Sequence, residues 1–267
     1  MAAQSDNDWP RDYIGYGANP PDPAWPGAAR VAVNFNLNYE CGGEANILDG
    51  DDASEGMLND IGFPPVPGKR NPLAESAFEY GSRVGVWRVL RIFEDFGVKM
   101  SVLGVTTALE RNPEATRAFV EGGHEIVSHG LRWIDYHHVD EHDERVHIHQ
   151  AAERIQRLTG IKPVGWMTGR PGPNTRRLLV EHGGFHYDRD ALNDELPYWV
   201  TVGGMPHLVI PYSYETNDNR CDQSNGFAQS DDFFQYMRDA FDLLHEEGAD
   251  RPGLLSIGLL DRLIGRP

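Results

Sequence analysis

A chain of 267 residues, 40% of them hydrophobic, can build one large core or two small ones, and single α/β barrels fall in this range. The formal net charge of −17 repels nucleic acid and anionic membranes, which leaves a small neutral or zwitterionic molecule as the expected partner. Cys41 and Cys221 are too few for a disulfide framework, and neither a basic-then-apolar leader nor an apolar run of ~18 residues is present, so a cytoplasmic protein is expected.

The first 30 residues are rich in Pro, Gly and Trp; they read as irregular, pinned by Trp9 and Trp25. Val31, Val33, Phe35 and Leu37 alternate and predict a strand. Residues 40–80 have little periodicity and read as a long insertion. Val86, Val89, Leu90 and Phe93 recur at helical spacing, and Gly97 stops that helix. A strand follows over Val98–Val105, then a helix opened by Asn112 and Pro113. A strand over Glu125–Ser128 leads to a charged helix over Glu141–Leu158. Further on, a strand is expected over Pro163–Thr168 and a helix over Asn174–Glu181. Short strands follow near Phe185 and at Leu208–Ile210, then a helix capped by Ser230 and a last strand over Leu254–Gly258. Repeated alternation of strand and helix argues for a parallel β/α architecture.

Ligands in such folds sit at the C-terminal ends of the strands. Polar residues gather there: Glu40 and Glu44 after the first strand, and His129, Arg132 and Trp133 after the third. Arg170 follows the fourth, and Glu215, Asn217 and Arg220 lie beyond Ile210. Glu40 is the candidate base, and burial at a strand end is expected to raise its pKa. His129 is the candidate for orienting water or holding an oxyanion. Arg170 can orient Glu40 or bind a carbonyl through its planar fork. Cys41 reads as a packed thiol. Asp261 is expected on the opposite face of its strand. His137, His138, His142, His147 and His149 read as a solvated helix face, with a zinc site only a minor alternative.

The segments Tyr39-Glu40-Cys41-Gly42, Ser128-His129-Gly130-Leu131-Arg132-Trp133 and Arg170-Pro171 resemble the three motifs of the polysaccharide-deacetylase superfamily. Trp9-Pro10-Arg11-Asp12, Glu79-Tyr80-Gly81-Ser82-Arg83 and Leu196-Pro197-Tyr198-Trp199 further resemble its allantoinase branch. The resemblance implies a distorted (β/α) barrel of the NodB-like type, one catalytic domain over 1–267 with an inserted region at about 40–80. It also implies that a Glu–His–Trp set, here Glu40, His129 and Trp133, replaces a metal triad, with no cofactor needed. The substrate class it implies is a cyclic ureide or imide, opened by a water activated at Glu40. Trp133, Glu44, Glu215, Asn217 and Arg220 are then the substrate-binding candidates, and the implied assembly is a homotetramer. Relatives of the branch carry a second acid where this chain has Cys41, a His where it has Leu260, and a further helix and strand beyond Pro267; the C-terminus therefore reads as truncated. These departures keep three alternatives open: a cyclic-imide hydrolase, a metal-dependent polysaccharide deacetylase, and a catalytically impaired member with a binding or assembly role.

Overall fold

The computed structural model describes residues 9–57, 64–222 and 226–267. Eight strands form one sheet: β1 Val31–Tyr39, β2 Ser101–Gly104, β3 Glu125–Ser128, β4 Gly165–Trp166, β5 Tyr187–Asp188, β6 Tyr198–Val202, β7 Met205–Val209 and β8 Gly253–Leu260. Their order is β6-β7-β5-β4-β3-β2-β1-β8, and every pairing is parallel except the β6–β7 hairpin. Parallel neighbours need crossover segments. These are α1 Pro72–Tyr80, α2 Val86–Phe96, α3 Thr106–Arg111, α4 Pro113–Glu121, α5 Glu141–Thr159, α6 Thr175–His182 and α7 Ser230–Glu247.

The sheet is a curled half-barrel, with β6 and β8 at its edges. The chain after β7 lies along β8, where Asn217 and Gly258 form a parallel bridge and Gly258 donates to the Thr216 carbonyl at 2.9 Å. The Leu254 N–H donates to the Glu195 carbonyl at 3.0 Å. The backbone groups of β8 that face away from β1 are thus partly satisfied without another strand.

β1 explains much of the interior. Leu37 and Tyr39 enter the main apolar core with Phe78, Val89, Phe119 and Leu259. The alternate residues Asn34, Asn36 and Asn38 take the opposite face and build a polar column. Asn36 donates to Ser256 at 3.1 Å, Arg189 donates to the same hydroxyl at 3.0 Å, and Asn38 donates to the Tyr212 hydroxyl at 2.9 Å.

The N-terminal arm is pinned as expected: the Trp9 ring lies 3.9 Å from the Arg176 guanidinium, and the Trp25 indole donates to the Gly253 carbonyl at 3.1 Å. Several elements differ from the sequence reading. The 40–80 region carries α1, with Asn71 accepting from Ala74 N–H at its start and Pro72 in its first turn; residues 58–63 lie outside the described residues. α7 is capped by Gln229, not Ser230, through a reciprocal bond with Asp232. A single expected strand at Leu208–Ile210 is instead the second arm of a hairpin, turned by Gly203 and Gly204 at φ 57° and 84°.

One irregular element bears on the site. A π-helical turn, Gly81–Gly85, joins α1 to α2. It packs so tightly against the chain after β8 that a Cβ on Gly85 would lie 2.0 Å from the Asp261 carbonyl oxygen.

Candidate active site

Glu40 is the first residue past β1, His129 the first past β3, and Leu260 the last of β8. Trp133 and Arg170 follow on the loops after β3 and β4, and Trp133 is held by its N–H donating to the Gly43 carbonyl at 2.8 Å. Parallel strands present these residues at one rim. Glu40, His129, Trp133, Arg170, Asn217 and Leu260 wall a cavity of about 70 Å³. Asn38, Met57, Tyr212, Tyr214 and Asn219 also line it. A larger hollow, about 1290 Å³, lies between the N-terminal arm, β6 and the end of α7, and includes none of these polar rim residues.

Both carboxylate oxygens of Glu40 are engaged. Oε1 lies 3.1 Å from His129 Nε2, and Oε2 lies 2.7 Å from Arg262 Nη1. All three side chains are buried. Burial alone pushes the Glu40 carboxyl up, but the Arg262 guanidinium and the His129 contact outweigh it and hold the group below its ordinary value of 4.5. The expectation of a raised pKa for Glu40 is therefore corrected, because sequence inspection did not supply Arg262. The other ring nitrogen of His129, Nδ1, contacts the Met167 carbonyl.

Arg170 does not orient Glu40. Its Nη1 pairs with Glu55 at 3.2 Å, and its guanidinium lies 4.0 Å from the centre of the Trp133 ring. Arg262 lies 5.1 Å from the same ring, so Trp133 offers its π-face to both cations. Arg170 Nη2 is buried with no protein partner and belongs to a residue lining the cavity.

Three of the proposed binding residues lie off the cavity wall. The Glu44 carboxylate turns back to accept the Gly42 N–H at 2.6 Å. Glu215 is exposed, and Arg220 packs its guanidinium over Phe227 and Tyr236 at 4.5 and 4.7 Å. Asn217 does reach the wall, donating to the Tyr212 hydroxyl at 2.8 Å.

Behind Glu40, further acids share the Arg262 charge. Asp261 lies past the end of β8, not on the far face of a strand, and its Oδ1 accepts from Cys41 Sγ at 3.1 Å. Burial pushes Asp261 up to about 7 and Asp218 up to about 8, although Asp218 accepts from the Leu260 and Ile264 N–H groups. Burial and the Asp261 charge push the Cys41 thiol well up, which makes it a packed neutral group rather than a nucleophile. Arg262 and Asn219 were missed in the sequence reading, and Asp218, which lies among the polar residues beyond Ile210, was given no role there. The rule that located Glu40 and His129 also applies to Arg262, two residues beyond β8.

A divalent metal at the Glu40–His129 rim does not fit this donor set. The Glu40 carboxylate already meets a guanidinium, two cations lie over Trp133, and no third His, Cys, Asp or Glu completes a ligand group among the described residues.

A curled parallel half-barrel with a carboxylate–imidazole pair at its C-terminal rim defines a class of β/α hydrolases. The chain belongs to the polysaccharide deacetylase family. That family's profile matches residues 69–182. A Schizosaccharomyces pombe protein assigned to the polysaccharide deacetylases is 39% identical over 96% of this chain and 87% of its own length. The crystal structure of PuuE allantoinase superposes with a TM-score of 0.95 at 55% identity, covering 97% of this chain and 87% of that one. A Pseudomonas aeruginosa structure described as a probable polysaccharide deacetylase gives 0.94 at 55% identity over the same shares.

Proposed function

We propose that this protein opens a cyclic amide by hydrolysis, with allantoin as substrate and allantoate as product. The observation that carries the reading is the buried Glu40–His129 pair at the wall of a small cavity. The 55% identity to PuuE allantoinase over nearly the whole chain supports the same substrate class.

In this mechanism Glu40 takes a proton from water as the oxygen bonds to a ring carbonyl carbon. A carboxylate has about four acceptor positions, so the contacts to His129 and Arg262 leave room for that water. The carbonyl oxygen becomes an oxyanion, and the cation on the cavity wall that would stabilise it is Arg170. The ring C–N bond then breaks and the departing nitrogen takes a proton from His129. Trp133 supplies a flat apolar wall and Leu260 an apolar one.

The test is ring opening of (S)-allantoin by chelator-treated protein, with hydantoin and succinimide run in parallel. Allantoin turnover that survives the chelator is the expected result. Turnover of succinimide alone would replace the ureide reading with an imide hydrolase. Turnover of none, with zinc restored or not, would overturn the hydrolase reading in favour of a binding role, with Leu260 as its first explanation.

A further inference from the structure

We propose that the Glu40–His129 contact holds one shared proton, that this proton resides on His129, and that Arg262 is the positioning residue that keeps it there. The first step is hydrogen-bond accounting. His129 Nδ1 contacts the Met167 carbonyl oxygen, which can only accept, so Nδ1 carries a hydrogen. In a neutral ring Nε2 would then present a lone pair to a carboxylate oxygen 3.1 Å away, and two acceptors do not attract. The contact is satisfied only when a second proton lies between Nε2 and Oε1.

The second step locates that proton. It belongs either to Glu40, beside a neutral ring, or to His129, beside a carboxylate. Arg262 Nη1 lies 2.7 Å from the other oxygen of Glu40, inside a fully buried site where a guanidinium strongly favours the ionised carboxylate. The ion pair therefore leaves the proton on the imidazole. Other charged groups also face the pair. Asp190 interacts with the His129 ring; burial pushes it up to about 6, and its carboxylate accepts from the Thr168 and Gly169 N–H groups. Asp261 and Asp218 surround Arg262 from the chain after β8 and from the turn at 218–222, and burial favours their protonated forms. Glu44 is engaged by Gly42, and burial raises it as well. Cys41 is a neutral thiol against Asp261. Arg170 is paired with Glu55, and the Tyr214 phenol is raised by burial. Glu40 is thus the carboxylate that Arg262 keeps ionised.

The consequence for turnover, which alone rests on the hydrolysis proposed above, is that acid and base stand loaded before substrate arrives. Nε2 gives its proton to the ring nitrogen as the C–N bond breaks, and Glu40 holds the proton taken from water. Transfer of that proton from Oε1 back to Nε2 across the 3.1 Å contact restores the starting state. The water's atoms end up in the opened chain as a carboxylic acid and an N–H, and the new acid then gives its proton to solvent to leave allantoate.

The test is nitrogen NMR of the full chain labelled with 15N-histidine, with His129 assigned by His129→Gln. At pH 7 the expected result is two protonated ring nitrogens on His129 in the native protein. In Glu40→Gln the amide can donate to Nε2, and only Nδ1 should remain protonated. Arg262→Lys should retain both protons, and Arg262→Met should retain one. A single protonated nitrogen in the native protein, or two in Glu40→Gln, overturns the proton placement. Two in Arg262→Met overturns the role of Arg262. Allantoin turnover measured on the same samples separates the two ideas: no turnover with two protonated nitrogens sinks the hydrolysis and leaves the proton placement standing.

Discussion

At the scale of single residues, Glu40 is unusual in having a different cation or proton donor on each oxygen. Replacing it with Gln removes the acceptor of the water proton, and turnover is expected to fall about 10²–10⁴-fold, measured as kcat on allantoin. The same change leaves the Arg262 charge buried without its main counter-ion, so the melting temperature should fall as well. A second expectation concerns pH. The folded Glu40 carboxyl is held below 4.5, so kcat/KM should keep its acid-side plateau down past that value rather than losing activity near neutrality. Its contribution to stability has the same sign: present above about 4.5 and lost as pH falls through the lower folded value. Glu40 and His129 were legible in the sequence because both follow a strand and both match a motif. Arg262 was not, because an arginine two residues past a strand gives no hint of which carboxylate it will meet. That pairing depends on β1 and β8 lying side by side, which hydrophobic periodicity does not reveal.

At the scale of elements, the π-helical turn fixes where the chain after β8 can lie. Gly81 sits against Cys41 and Asp261, and Gly85 against the backbone of Asp261 and Gly265. A Cβ on Gly85 would meet backbone at 2.0 Å, which no side-chain rotation relieves. Gly85→Ala is expected to destabilise the protein by roughly 1–3 kcal/mol, read by chemical denaturation, and to lower turnover by shifting Arg262. Element type was largely readable: the helices at 86–96, 113–121 and 141–159 lie where periodicity and Gly or Asn-Pro signals put them. The first arm of the β6–β7 hairpin was missed for a physical reason. The signal for the β6–β7 hairpin was present in Gly203-Gly204, but β6 alternates in burial without alternating in residue type, since the exposed Trp199 is as apolar as its half-buried neighbours Tyr198 and Val200. β4 and β5 lie within or beside the strands expected over Pro163–Thr168 and near Phe185, but at two residues each they are too short for their bounds to be read from a period.

At the scale of the whole molecule, buried acids outnumber the cation they share. Asp218 and Asp261, near 8 and 7 when folded, bind protons at neutral pH that the unfolded chain, with carboxylates near 3.8, has released. The folded state binds more protons in that interval, so stability from these groups is full below about 3.8 and declines as pH rises towards 8. Asp218→Asn keeps an oxygen for the Leu260 and Ile264 N–H groups while removing the ionisable proton. Thermal melts from pH 5 to 9 should show a shallower decline for the variant than for the native chain; equal slopes would count against this account. Among the described residues no helix is long and apolar enough to cross a membrane.

The pairing of the first strand with the last also has a temporal side. Val31 to Phe35 of β1 pair with β8 alone, since β2 reaches only Asn36 to Tyr39. A growing polypeptide emerges from the ribosome at about 5–20 residues per second, so this half of β1 waits on the order of ten seconds or more for its partner. Arg262 arrives later still. Throughout translation the nascent chain therefore carries an unmated edge and a carboxylate without its guanidinium, and it is during this interval that chaperones have most to protect.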